Sequence, residues 1–181
     1  MWRYADIRTT ADIVRHWAKE NPEGRALTYG EREVSYRELD SRSSRIARAI
    51  QASGAQPGSA IGFLAKNSVE FFEVWFGAMK AGCSIAPFNW RCTAHELARI
   101  IDDARPPLVV ASEEFAGVAG EAEQLSDHRF EIVAFDPDRA EGDGLDGWLA
   151  GRVDDDATDP HVPLLGTETA LLAYTSGTTG R

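Results

Sequence analysis

The chain has 181 residues, 43% hydrophobic and 27% charged, the proportions of an ordinary globular protein able to bury one sizeable core. Its net charge of −10 and the lack of a basic cluster argue against nucleic acid or an anionic membrane as partner, since both are gripped by Lys/Arg stripes. No apolar stretch approaches the ~18 residues of a transmembrane helix, and Met1-Trp2-Arg3-Tyr4-Ala5-Asp6 lacks the apolar region of a signal peptide, so the expected location is cytoplasmic.

The first helix is predicted to start near Thr9 or Thr10. Ile13, Val14 and Trp17 recur at helical spacing, and Asn21-Pro22 ends the run. Ala26–Tyr29 and Glu33–Ser35 flank Gly30-Glu31-Arg32 and read as a short hairpin. Ser35-Tyr36-Arg37-Glu38 is a capping box, in which hydroxyl and carboxylate satisfy each other's backbone donors. Leu39, Ile46, Ala47 and Ile50 mark one face of the helix behind it, and Gly54 closes that helix.

A β–α alternation follows. Ala60–Leu64 is an apolar run of strand length. Asn67 or Ser68 then caps a helix carrying Phe71, Phe72, Val74, Trp75 and Met79, which ends at Gly82. Cys83–Ala86 is the next strand, stopped by Pro87. Thr93-Ala94-His95-Glu96 is a second capping box, with Leu97, Ile100 and Ile101 behind it. Pro106-Pro107 breaks the chain before the strand Leu108–Ala111. A less strongly patterned helix is predicted over 113–125, and a strand over Glu131–Phe135. Near-continuous apolar strands separated by helices predict an α/β fold: an N-terminal hairpin and helices, then β–α units forming a mostly parallel sheet with helices on both faces.

Residues 136–168 differ in composition. Pro137, Gly142, Gly144, Gly147, Gly151, Pro160 and Pro163 surround the acidic run Asp154-Asp155-Asp156. The stretch reads as a long acidic surface connection with one helical turn at 145–149. Asp154, Asp155, Asp156 and Asp159 lack the spacing of a calcium loop, so they read as a solvated acidic loop. His95-Glu96 would need a histidine at position 99 to make a zinc-protease helix, and that residue is Arg99. Cys92 and His95 supply two ligands, short of a metal site. Cys83 and Cys92 lie among apolar neighbours, form no C-x-x-C pair and read as reduced core thiols. Phe71, Phe72, Trp75 and Phe76 suit either a lipid pocket or a core stripe, and the core reading is preferred. Trp90 and Arg91 sit in a turn after a strand, a place used by binding residues and structural residues alike.

The motif that carries chemistry is Tyr174-Thr175-Ser176-Gly177-Thr178-Thr179-Gly180, placed directly after the apolar run Ala170-Leu171-Leu172-Ala173. Glycine lets a backbone approach an anion closely, and successive N–H groups can converge on phosphate oxygens. The hydroxyls add uncharged donors. It is not a Walker A loop, because no lysine follows Gly180. Such an order of hydroxyls and glycines arises by chance about once in 10⁶ positions.

Residues 174–181 resemble the signature loop of the acyl-adenylate-forming (AMP-binding) superfamily, which includes acyl-CoA synthetases, adenylation domains and luciferases. Ala86-Pro87-Phe88-Asn89-Trp90-Arg91-Cys92-Thr93-Ala94-His95-Glu96-Leu97 is similar to a Pro-Leu-Asn-Trp-Arg-Leu-Thr-x-x-Glu-Leu segment of fatty-acyl-CoA synthetases, with Phe88 and Cys92 as apolar departures. Leu27–Leu39 resembles the family's N-terminal hairpin and first helix. The resemblance implies a partial N-terminal, AMP-binding domain over 1–181, and an ATP-dependent carboxylic acid–CoA ligase in which Mg²⁺ and coenzyme A take part. It implies that Thr175, Ser176, Gly177, Thr178, Thr179 and Gly180 bind nucleotide phosphates, and that the Thr175 oxygen helps hold Mg²⁺. A fatty acid is favoured as the small-molecule substrate. The remaining functional residues and the C-terminal domain would lie beyond Arg181, leaving no catalytic residue within these positions. The 181-residue chain is therefore expected to be inactive in ligation by itself. The alternatives are a short non-catalytic nucleotide- or partner-binding protein and a non-functional truncation remnant.

Overall fold

The computed structural model describes residues 6–137, 144–154 and 158–175. Helix α1 (Thr10–Glu20) begins at Thr9, whose hydroxyl accepts from Asp12 N–H while the Asp12 carboxylate accepts from Thr9 N–H. The hairpin follows as β1 (Arg25–Tyr29) and β2 (Arg32–Ser35), antiparallel with Tyr29 opposite Arg32. Arg32 is thus in the strand, and the turn is the two residues Gly30-Glu31. Gly30, at φ +59, supplies the positive φ that a two-residue turn needs to match the strand twist. Helix α2 (Tyr36–Ala52) starts on the Ser35–Glu38 capping box, with Ser35 N–H donating to Glu38 Oε2 at 2.8 Å.

The β–α units are β3 (Ala60–Leu64), α3 (Val69–Lys80), β4 (Ser84–Pro87), α4 (Ala94–Ala104), β5 (Leu108–Ser112), α5 (Glu113–Leu125) and β6 (Glu131–Phe135), then the short α6 (Leu145–Ala150). Thr93 and Glu96 close the second capping box at the start of α4. Ser68 occupies the N-cap of α3, but its side chain makes no capping hydrogen bond. The four strands pair in parallel in the order β4-β3-β5-β6. Central strands β3 and β5 are buried at every position, as strands covered on both faces must be.

Two apolar layers fill the faces. On one side Ile46, Ile50, Val74 and Ala78 from α2 and α3, with Leu145, Trp148 and Leu149 from α6, cover Ile61, Phe63, Ile85 and Val110. On the other, Leu97 and Ile101 of α4 and Phe115, Ala119 and Ala122 of α5 cover Leu64, Ala86, Val109 and Ala111. Helices α2 and α3 approach closely at Gly77, where a Cβ would lie 2.5 Å from Ile46 Cγ2.

Two departures from the sequence reading concern the acidic segment. Its apolar residues Leu145, Trp148 and Leu149 enter the core rather than lying on the surface. Asp159, read as part of a solvated loop, is held by a bidentate pair with Arg15 (2.7 and 2.8 Å) and lies 3.6 Å from Lys80 Nζ. Lys80 is fully buried and donates to Asp40 Oδ1 (2.6 Å), Asp40 O (2.8 Å) and Ser44 Oγ (2.9 Å). A buried ammonium needs such partners, and the acidic segment supplies one of them.

Candidate functional site at the carboxyl edge of the sheet

Residues 170–175 run beside β4. Ile85 N–H donates to Ala170 O (3.3 Å) and Leu172 N–H to Ile85 O (2.8 Å), forming one parallel bridge between Ile85 and Leu171. The apolar run 170–173 has the composition of a strand, yet it makes only this bridge. The reason lies in β4. In a parallel ladder the next donor would be residue 87, and Pro87 has no N–H. In the other direction Cys83 N–H is already given to Ala78 O at 2.8 Å. Side chains complete the attachment. Trp75 Nε1 donates to Ala170 O (3.2 Å), and Tyr174 Oη donates to Asp103 Oδ2 (2.7 Å). Leu172 and Tyr174 pack on the layer formed by α4 and α5. Burial first, and then the Asp103 bond and charge, push the Tyr174 hydroxyl up to about 12.

Thr175 is exposed directly after these anchors. Ser176, Gly177, Thr178, Thr179 and Gly180, the other members of the expected phosphate loop, lie outside the described residues. The segment leaves at the carboxyl ends of the parallel strands, which is where ligands bind in open α/β sheets.

The loops after β3, β4 and β5 share that edge. Asn89 Oδ1 accepts from Arg91 N–H (3.0 Å) and Asn89 O from Cys92 N–H (2.9 Å), which folds the Asn89–Cys92 turn. The Arg91 guanidinium lies 4.0 Å from the Trp90 ring centroid, Lys66 Nζ lies 5.3 Å from it, and the Phe115 ring lies 5.8 Å away. Lys66 also contacts both Glu114 carboxylate oxygens at 2.9 Å. The segment singled out in the sequence is therefore a compact aromatic and cationic turn. His95 is exposed beside it, and burial raises the Cys92 thiol above its ordinary range. Among the described residues no group of three or more His, Cys, Asp or Glu side chains converges as a metal cluster. The Thr175 hydroxyl is one neutral oxygen, so Mg²⁺ there would need phosphate oxygens as further ligands. Phe76 is buried, and Phe71 and Trp75 pack against the first core layer, while Phe71 and Phe72 also line a cavity of ≈ 280 Å³ between β1 and the start of α3.

Residues 14–181 match the family described as AMP-binding enzyme. The chain belongs to the AMP-binding enzyme family. A fatty acid–[acyl-carrier-protein] ligase from Streptomyces coeruleorubidus is 32% identical over 177 residues, covering 98% of this chain and 32% of the relative. A 3-hydroxybenzoate–CoA ligase from an Aromatoleum species is 33% identical over 157 residues, covering 86% of this chain and 29% of the relative. A fatty acyl-CoA synthetase structure from Mycobacterium tuberculosis superposes with a TM-score of 0.81 at 23% identity, over 94% of this chain and 33% of that one, which shows the fold. The AMP-binding chain spans about a third of the length of these relatives. Its α/β architecture and its resemblance to acyl-CoA synthetases both stand, and no helix among the described residues is long and apolar enough to cross a membrane.

Sequence reasoning missed the internal anchors of this AMP-binding family chain. Tyr174 meets an aspartate 71 positions earlier, and Lys80 meets Asp40 and Asp159. The available signal for Lys80 was a cation at the end of a mostly apolar helix that also carries Glu70 and Glu73, where a C-terminal cation is also what the helix dipole favours.

Proposed function

We propose that this chain is the N-terminal part of an AMP-forming acid–thiol ligase that uses ATP and Mg²⁺ to activate a carboxylic acid and coenzyme A to accept the acyl group. The family match, running from Val14 through the Thr175–Gly180 loop, carries this reading. A carboxylate is a poor electrophile. Its oxygen attacks the α-phosphorus of ATP, the bond to the β-phosphate oxygen breaks, and pyrophosphate leaves with an acyl-adenylate formed. A thiol sulfur then attacks the acyl carbon, loses its proton, and AMP departs. The part assigned to Thr175, Ser176, Gly177, Thr178, Thr179 and Gly180 is to hold the β- and γ-phosphates through N–H and hydroxyl donors while charge builds on the leaving group. Thr175 contributes an oxygen toward Mg²⁺. The likeness of 86–97 to fatty-acyl-CoA synthetases supports a fatty acid over an aromatic acid. The site is completed by sequence beyond Arg181.

Sequencing the reading frame past codon 181 and assaying acid-dependent ATP–pyrophosphate exchange tests this. The expected result is a long in-frame continuation past Arg181, exchange by the extended protein with fatty acids, and negligible exchange by the 181-residue chain. A stop codon after Arg181, or exchange by the short chain alone, refutes the reading.

A further inference from the structure

We infer that Tyr174 and Asp103 form a positioning pair that fixes the point from which the phosphate-loop segment leaves the sheet; this rests on the proposed role of that loop. The backbone ladder cannot do the job, because it ends at one bridge for want of an N–H on Pro87. The last described side-chain bond before Thr175 is Tyr174 Oη to Asp103 Oδ2 at 2.7 Å. Asp103 is the penultimate residue of α4, where the helix dipole disfavours a carboxylate, so its location makes sense as an acceptor for Tyr174. The tyrosine ring is half-buried beside Leu172 on the α4–α5 layer, which limits its rotation. Trp75 holds Ala170 O from α3, on the opposite face of the sheet. The segment is thus tied to both helical layers, and Tyr174 is the tie next to the loop.

The test compares wild type with Tyr174→Phe, Asp103→Ala and Asp103→Asn in the 181-residue chain. Asparagine keeps a carbonyl acceptor without charge, so it separates the hydrogen bond from electrostatics. Inorganic pyrophosphate with Mg²⁺ is titrated while the amide resonances of Gly177 and Gly180 are followed by NMR. Hydrogen exchange of the 176–180 amides is measured without ligand, and the thermal midpoint is recorded as a control. The expected result is pyrophosphate affinity weakened roughly three- to tenfold in Tyr174→Phe and Asp103→Ala, near wild type in Asp103→Asn, with exchange in 176–180 faster in the first two only. Equal affinities across the set overturn the inference. If wild type gives no pyrophosphate response, the phosphate reading of the loop fails in this chain and exchange decides alone. Faster 176–180 exchange in Tyr174→Phe and Asp103→Ala then upholds the pair, and unchanged exchange, or amides already unprotected in wild type, overturns it.

Discussion

Replacing Asp159 by Asn removes the acidic end of a buried charge chain while keeping its shape. The Asp159 side chain is 10% exposed, and Arg15 grips both of its oxygens. Burial would raise its pKa; the Arg15 hydrogen bonds, the His161 N–H and the charges of Lys80 and Arg15 outweigh that and hold it at about 2, against an ordinary 3.8. At ~1.4 kcal/mol per pH unit, this depression is worth about 2 kcal/mol of stability. The sign follows from the direction. The contribution is complete above the unfolded pKa of 3.8 and is lost as pH falls through about 2. The Asn variant should therefore be about 2–4 kcal/mol less stable than wild type near pH 7, the upper figure including Arg15 and Lys80 left short of a counter-charge. The difference should shrink toward zero between about pH 4 and about pH 2. Urea unfolding of both proteins, followed by tryptophan fluorescence across that range, measures it. A difference below about 0.5 kcal/mol near pH 7 would refute the argument, because that is the scatter of ordinary surface substitutions. So would a difference that persists unchanged at low pH.

Two further predictions address packing and thiol chemistry. Gly77→Val should cost about 1–3 kcal/mol, seen as a lower thermal midpoint, because even the Cβ meets Ile46 Cγ2 at 2.5 Å; Gly117→Ala, whose Cβ meets nothing within 4 Å, should be neutral or stabilising, and equal midpoints for the two would contradict the close α2–α3 approach. Cys83 is buried, with its thiol pushed up to about 11, and Cys92 is only half-buried, so a thiol reagent at about pH 8 should label Cys92 in the native protein and Cys83 only after unfolding; native labelling of both at one rate would count against the burial described.

What could be read from the sequence was local. The Ser35–Glu38 and Thr93–Glu96 boxes name their helix starts because all partners lie within four residues. The Thr9 box uses Asp12 instead of Glu or Gln at its third position, so the helix start was placed without the box being recognised. Strands β3 and β5 were plain because burial on both faces forces unbroken apolar runs. Non-local pairing was not legible. Lys80 reads as an ordinary helix-end cation until Asp40 and Asp159 are brought to it, and Asp159 reads as a solvated acid until Arg15 is beside it. The Ser/Thr/Gly loop was visible by composition alone. The anchoring of the preceding segment, Ala170 by Trp75 and Tyr174 by Asp103, was not, since both contacts join residues far apart in the chain.

Pro87 links these observations. As the last residue of β4 it ends the strand, and by lacking an N–H it also denies the 170–175 segment a second bridge. A continuous ladder would have held that segment through backbone groups, which tolerate many sequences. With the ladder cut short, the attachment depends on particular side chains, an indole from α3 and a tyrosine reaching α4. Substitution at either helix therefore reaches the base of the loop directly. The same geometry makes the segment sensitive to the relative placement of the two helical layers, because each layer holds it at a different residue, Ala170 from one side and Tyr174 from the other.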